Sequence, residues 1–109
     1  MQEADILLEA DSEFKKMLQA FFLKNYKNLF ADIKKAINSG EIEAAYRLVH
    51  SLKSNSAQIG RTALQKASAD VEILLKNGQN NVTEELLNNL ETELKTVLDD
   101  LASLLNGEQ

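Results

Sequence analysis

AAYRLVHSLKSNSAQIG, residues 44–60, is the stretch that decides the fold, and it contains His50, the only histidine of the 109-residue chain. At about 100° per residue, a helix brings one set of its small and apolar side chains onto a narrow arc. The members of this arc are Ala45, Leu48, Leu52, Ser56 and Ile59. His50 lies about 160° from the centre of the arc. The pattern therefore predicts an amphipathic helix that buries the arc and leaves the imidazole in solvent.

The exposed side around His50 carries cations and small residues. Arg47 and Lys53 lie within one helical turn of the imidazole, while Ser54 and Ala57 follow it one and two turns ahead. Tyr46 shares this side of the helix. The surface is therefore positively charged close to the imidazole and free of bulky side chains beyond it.

The same helical periodicity extends towards the amino terminus. Apolar residues recur at intervals of three and four from Phe14 to Ile37, which predicts one long helix with Asp11 or Ser12 as its N-cap. A bend near Asn25 stays open, and the phenylalanine-rich part up to Phe30 is expected to be mostly core. A single turn over residues 4–10 precedes this helix, and Gly40 ends it.

Towards the carboxyl terminus the pattern predicts two more helices. The central helix runs from Glu41 or Ile42 to Gln58, and the next follows Gly60 and ends at Asn77-Gly78. Asn81 and Glu84 resemble a capping box that starts the last helix, which Asn106-Gly107 closes. We therefore predict an all-α fold, an antiparallel up-and-down four-helix bundle with a short N-terminal helical turn.

Composition agrees with a helical domain and excludes several classes of function. The chain has no proline and no cysteine, so helices are not interrupted and neither disulfides nor thiolate chemistry are available. Its net charge of −5 argues against nucleic acid. It has no apolar run of the roughly 18 to 20 residues that span a bilayer and no basic leader. We expect a single domain with its core at about residues 11–106, cytoplasmic, monomeric and without membrane contact.

The usual catalytic constellations are missing. Ser51 and Ser54 lie near His50, but no nucleophile elbow or phosphate-binding glycine loop accompanies them. One histidine is too few for a zinc or di-iron site in a bundle. We therefore predict no autonomous enzyme, no metal and no cofactor. The chemistry left is that of the imidazole, which is nucleophilic near neutral pH and can accept a phosphoryl group if positive charge and open space adjoin it.

The stretch resembles the histidine-containing phosphotransfer (HPt) domain of two-component phosphorelays. The family's pattern is His-x-x-Lys-Gly followed by an apolar residue and a glycine, and here it reads His50-Ser51-Leu52-Lys53-Ser54, then Ile59-Gly60. Ser54 replaces the commoner glycine, one small residue for another. The similarity in layout runs from about residue 10 to 105.

The resemblance implies a role for each matching residue. His50 would accept the phosphoryl group on Nε2, Lys53 would screen its charge, and Glu72 would hydrogen-bond the other ring nitrogen. Lys76 would add positive charge near the same site, and the partner would dock around it. The residues expected at that docking surface are Arg47, Ser54, Ala57, Gly60 and Lys76.

The resemblance also implies the partners. They would be response-regulator receiver domains, which supply Mg²⁺ and most of the catalysis, and a hybrid sensor histidine kinase could carry this domain in cis. Any apolar side chain left exposed near His50 would be a candidate for receiver docking.

Two other classes of function stay open on the residues alone. One is a structural bundle that scaffolds partners, in which His50 is incidental and Arg47 only pairs with Glu43. The other is a carrier modified on serine, because Ser51, Ser54 and Ser56 cluster near the exposed face.

Overall fold

The computed structural model describes the backbone of residues 3–106 and the side chains of residues 12–106. Its helices are α1 (Glu3–Tyr26), α2 (Leu29–Asn38), α3 (Ile42–Gln58), α4 (Thr62–Leu75) and α5 (Glu84–Asn106), with a 3₁₀ turn at Lys76–Gly78. No strand occurs within residues 3–106. The all-α prediction is therefore confirmed, whereas the up-and-down order of the bundle stays a prediction.

The helices pack around one core, in which α3 and α4 make the most extensive contact. Helix α2 packs against α3, α4 against α5, and α1 mainly against α5. Ser56 of α3 and Ser68 of α4 are fully buried, and their hydroxyls donate to the carbonyls of Leu52 and Leu64 at 2.6 and 2.8 Å. These bonds within each helix satisfy the two buried hydroxyls. The large, fully buried apolar members of the core are Phe22, Ile33, Leu52, Leu64, Leu75, Leu90, Leu101, Val49 and Val71.

The predicted N-terminal turn and single long first helix are wrong. Helix α1 already begins at Glu3, so Asp11 and Ser12 lie inside it and cap nothing. Residues 3–26 contain neither glycine nor proline, so nothing in them interrupts a helix. Whether side chains 4–10 cover an end of the bundle lies outside the described residues.

The predicted long helix is instead divided at residues 27–28, shortly after Asn25, where the sequence pattern allows a bend. The Asn25 side chain donates to the carbonyl of Phe21 at 2.8 Å, a side-chain bond of the kind that bends helices. Asn28 then starts α2, where its carbonyl accepts the amide of Asp32. The break turns the predicted four helices into five.

The buried stripe of α3 differs slightly from the predicted arc. Val49 is buried, whereas Leu48 and Ile59 are only half-buried. The buried arc is thus turned by about 30° towards His50. Periodicity shows which apolar residues share a side of the helix but not which neighbours cover it, and α3 packs against both α4 and α2. This rotation brings the side of the helix next to His50 against α4.

The helix ends are partly as predicted. Gly40 follows α2 with φ of 78°, and its amide bonds to Ile37 as expected for a left-handed C′ glycine. The capping box is wrong, because α5 begins at Glu84 and its N-cap is Thr83, whose hydroxyl accepts the amide of Leu86 at 3.2 Å. Asn81 instead donates its amide to Leu74. Helix α5 ends at Asn106, and Gly107 lies outside the described residues.

The phenylalanine-rich helix is core only in part. Phe22 and Tyr26 are buried, but Phe14, Met17 and Phe21 are 53, 68 and 60 % exposed. Helix α1 packs mainly on one neighbour, so only one of its faces is covered and its apolar residues exceed what that face can hold.

Within the described part of the chain, none of these helices has the combination of length and hydropathy that a membrane span requires.

Candidate functional site

The candidate site is built around His50 on α3. Its side chain is 53 % exposed, as the helical pattern predicts. Nδ1 is hydrogen-bonded to Oε2 of Glu72, which lies on α4. Because an ionised carboxylate only accepts hydrogen bonds, Nδ1 carries the proton and the lone pair of a neutral imidazole is on Nε2. The side chain thus keeps its nucleophilic nitrogen free of this contact.

Glu72 joins the other residues of the site and is more buried than the sequence pattern indicates. Its side chain is 12 % exposed, and its second oxygen accepts a hydrogen bond from Nζ of Lys53 at 2.6 Å. Burial raises the pKa of Glu72, but the hydrogen bonds from Lys53 and His50 and the positive charge of Lys53 outweigh it and hold the pKa below its ordinary value. The carboxylate therefore stays ionised at neutral pH and bridges the imidazole and the lysine.

Lys53 differs from a freely solvated lysine. It lies one turn after His50 and is 32 % exposed, because its ammonium group is drawn to Glu72. A lysine bonded to the carboxylate that holds the imidazole keeps its positive charge close to the ring. His50, Glu72 and Lys53 form a connected triad, which we call the His50–Glu72–Lys53 network.

Tyr46 completes the surroundings of the imidazole. It lies one turn before His50, and the two rings are stacked with centroids 6.0 Å apart and an interplanar angle of 14°. The sequence places Tyr46 on the same side of the helix but assigns it no role. The signal that could have found it is the aromatic residue four positions before a histidine, since residues at i and i+4 are neighbours on a helix.

The residues expected at the docking surface lie in two places. Ser54, Ala57 and Gly60 are exposed along and beyond the His50 side of α3. Arg47 is exposed and lies 3.7 Å from Glu43, the predicted ion pair. Lys76 was expected on a helix one turn after Glu72, but α4 ends at Leu75, so Lys76 instead lines a cleft together with Tyr46 and Arg47.

The serine cluster of the carrier hypothesis is smaller than expected. Ser51 and Ser54 are exposed, but Ser56 is fully buried and bonded to Leu52. Two of the three serines of that hypothesis therefore stay accessible at the surface. Among the side chains of residues 12–106, no group of three or more histidines or carboxylates is arranged to hold a metal ion.

Fold and site together define a class of protein: a helical bundle that holds one oriented imidazole at its solvent-exposed surface. The Hpt domain family model matches residues 16–104, a span that contains the whole His50–Glu72–Lys53 network. The chain belongs to the Hpt domain family. Comparison with curated proteins and with solved structures found no significant match.

Membership of the family establishes the general activity. Hpt domains carry phosphoryl groups on histidine in two-component phosphorelays, have no intrinsic catalytic activity and interact with receiver domains. His50 is the only histidine in the chain.

The lowered pKa of Glu72 predicts how stability depends on pH. Since folding lowers this pKa, the ionised carboxylate stabilises the fold above the unfolded value of about 4.3, and this contribution is lost as the pH falls through the lower folded value. We expect the difference in unfolding free energy between the wild type and Glu72→Gln to shrink as the pH falls below about 4.3. Urea denaturation at pH 7, 5, 4 and 3 measures it. A difference that does not change down to pH 3 would contradict the lowered pKa.

Proposed function

We propose that the protein accepts a phosphoryl group on Nε2 of His50 from the aspartyl phosphate of one receiver domain and passes it to an aspartate of another. The observation that supports this most is the bond between Nδ1 of His50 and buried Glu72, which leaves Nε2 available on a half-exposed side chain. Because the phosphoryl group passes from one receiver to His50 and then to a second receiver, the protein would be an intermediate carrier in a multistep phosphorelay.

The transfer is a displacement at phosphorus. The lone pair of Nε2 attacks, the bond between phosphorus and the aspartyl oxygen breaks, and the carboxylate leaves with the electron pair. The imidazole becomes an N-phosphoryl ring whose Nδ1 proton is held by Glu72, so the positive charge on the ring is stabilised by a carboxylate. In the second transfer the next aspartate attacks and the imidazole leaves as a neutral ring with its proton on Nδ1.

Each member of the His50–Glu72–Lys53 network has a part in this proposal. Glu72 selects the tautomer of His50 and orients the ring. Lys53 supplies positive charge close to the phosphoryl oxygens. The receiver supplies Mg²⁺, so the site itself needs only an oriented nucleophile and an accessible approach.

The receiver would dock over the His50 side of α3 and the neighbouring face of α1. Ala57 lies two turns, or about 10 Å, beyond His50 on the same side of the helix. Ala57 and Gly60 line a cleft of about 250 Å³ with Lys15 and Leu18 of α1. The exposed apolar stripe next to these α1 residues consists of Phe14, Met17 and Phe21. The small side chains of α3 and the exposed apolar side chains of α1 are the groups that the receiver would contact.

The wider context belongs to the proposal too. The domain acts as a monomer in the cytoplasm, alone or in cis with a hybrid sensor histidine kinase, and its partners are proteins because a net charge of −5 disfavours nucleic acid. It needs no cofactor of its own.

The test is transfer from a receiver domain phosphorylated with radiolabelled acetyl phosphate. A panel of receivers is incubated with the full chain, and we expect a label that is labile in acid and stable in base, as phosphohistidine is. Absence of label from every receiver in the panel, or a label that survives acid as phosphoserine does, would refute the proposal. Intact mass after expression checks the serine-carrier alternative independently.

Lys53→Ala is expected to slow phosphoryl transfer to His50 about tenfold at low ionic strength. The effect should be smaller at high salt, because salt screens the charge of Lys53, but it should not vanish, because a half-buried charge is only partly screened. The fold should be unaffected. Single-turnover transfer rates at two salt concentrations measure the effect, and Lys66→Ala is the matched control, because Lys66 is an exposed lysine that pairs with Asp70 elsewhere on α4. Equal rates for the wild type and Lys53→Ala would remove Lys53 from the mechanism.

A further inference from the structure

The imidazole of His50 is contacted on a ring face as well as on a ring nitrogen. The Tyr46 ring lies nearly parallel to it, at the 14° and 6.0 Å given above. Aromatic rings that pair favourably have centroids about 4.5 to 7 Å apart and are offset. The distance and angle are those of a strongly offset pair of nearly parallel rings, so Tyr46 lies beside one face of the imidazole.

Tyr46 is itself held in place. It is half-buried and packs against the core of the bundle. On its other side it lines a cleft of about 350 Å³ between α3 and the turn that follows α4, together with Leu75, Lys76 and Asn77. A ring fixed by the core on one side is a rigid support for a neighbour that is half-exposed.

The bond to Glu72 alone does not determine the plane of the imidazole. One hydrogen bond at Nδ1 leaves the ring able to tilt about the contact, and Nε2 lies at the far side of the ring, where a tilt moves it most. Productive attack on phosphorus needs the nucleophile aligned with the bond that breaks. A second contact on the face of the ring removes the tilt.

We propose that Tyr46 is a positioning residue for His50: stacking on one face holds the imidazole in the plane in which Nε2 meets the incoming phosphoryl group. This inference rests on the proposed function. Glu72 determines which nitrogen is free, and Tyr46 determines the direction in which that nitrogen points.

Three substitutions separate stacking from simple packing. Tyr46→Phe keeps the aromatic ring, Tyr46→Leu keeps apolar bulk against the core without an aromatic face, and Tyr46→Ala removes both. We expect the transfer rate at saturating phosphorylated receiver to fall about threefold to tenfold in Tyr46→Leu and Tyr46→Ala, the range that an aromatic pair supplies, and to be close to wild type in Tyr46→Phe. The receiver concentration that gives half the maximal rate should stay unchanged in all three.

Proton NMR of His50 provides a readout that needs no receiver. The ring protons of His50 lie within the ring-current field of Tyr46, so their chemical shifts should change in Tyr46→Leu and Tyr46→Ala but not in Tyr46→Phe. An unchanged shift in Tyr46→Leu would show that the rings do not stack in solution and would overturn the inference.

The kinetic outcomes distinguish this inference from the proposed function. If the wild type accepts no phosphoryl group from any receiver, the proposed function fails and the inference fails with it. If the wild type is phosphorylated and Tyr46→Leu reaches the same saturating rate, only the inference is overturned. A change confined to the half-saturating concentration would make Tyr46 a docking contact and would also overturn the positioning role.

Discussion

His50→Gln is expected to fold like the wild type and to accept no phosphoryl group at all, which is the largest effect that we expect of any single substitution. Glutamine keeps an N–H donor that can reach Glu72 but has no nucleophilic nitrogen. Because the His50 side chain is 53 % exposed, its replacement should leave the fold intact and the melting temperature close to that of the wild type. Label transfer from a phosphorylated receiver and a melting curve measure the two effects.

The matched control for His50→Gln is Ser51→Ala, which removes an exposed hydroxyl next to His50 on α3 and leaves the expected docking surface intact. This variant should be labelled to the same extent as the wild type. Residual acid-labile label on His50→Gln would show that His50 is not the acceptor. A large loss of melting temperature would contradict the exposed position of the imidazole.

Glu72→Ala is expected to slow phosphoryl transfer about 10- to 100-fold while His50 is still present. The substitution removes a hydrogen bond to a charged group, worth about 1.5 to 3 kcal/mol, from the ring nitrogen opposite the nucleophile. Without the carboxylate, the Nδ1 proton is no longer favoured and the ring is free to rotate. Single-turnover transfer rates measure the loss, and ¹⁵N NMR of the imidazole reports the tautomer independently of any receiver.

Two variants make the Glu72 result specific. Glu72→Gln keeps the shape and a carbonyl acceptor but not the charge, so its rate should lie between those of the wild type and Glu72→Ala. Glu43→Ala removes an exposed glutamate that pairs only with Arg47 on the surface and should transfer normally. If Glu72→Ala transferred at the wild-type rate while NMR showed a changed tautomer, the orienting role of Glu72 would be wrong.

Local patterns predicted much of the fold because they depend on interactions between near neighbours. The many helix-forming residues and the absence of proline predict the helices, and Gly40 predicts the end of one of them. The pattern failed at the start of α1 and at the start of α5, where Glu84 is the first helical residue and Thr83 rather than Asn81 is the cap. Such errors arise because neighbouring polar residues compete for a cap position and periodicity does not rank them.

Burial on α1 was predicted less well than burial on α3. Phe14, Met17 and Phe21 have the same spacing as core residues, yet they are exposed. Spacing shows that apolar residues share a face, but only the number of neighbouring helices decides whether that face is covered. Helix α3 packs extensively against α4 and also against α2, whereas α1 packs mainly against α5.

By itself, the sequence determined that the chain is helical and that His50 points away from the buried side of its helix, because both depend on the 100° geometry of one segment. Only the tertiary structure decided that Glu72 is buried, that it joins His50 to Lys53 across two helices, and that α3 is turned towards α4. These contacts are between residues about 20 positions apart, and their energies depend on how closely α3 and α4 approach. A helical pattern contains no information on that distance.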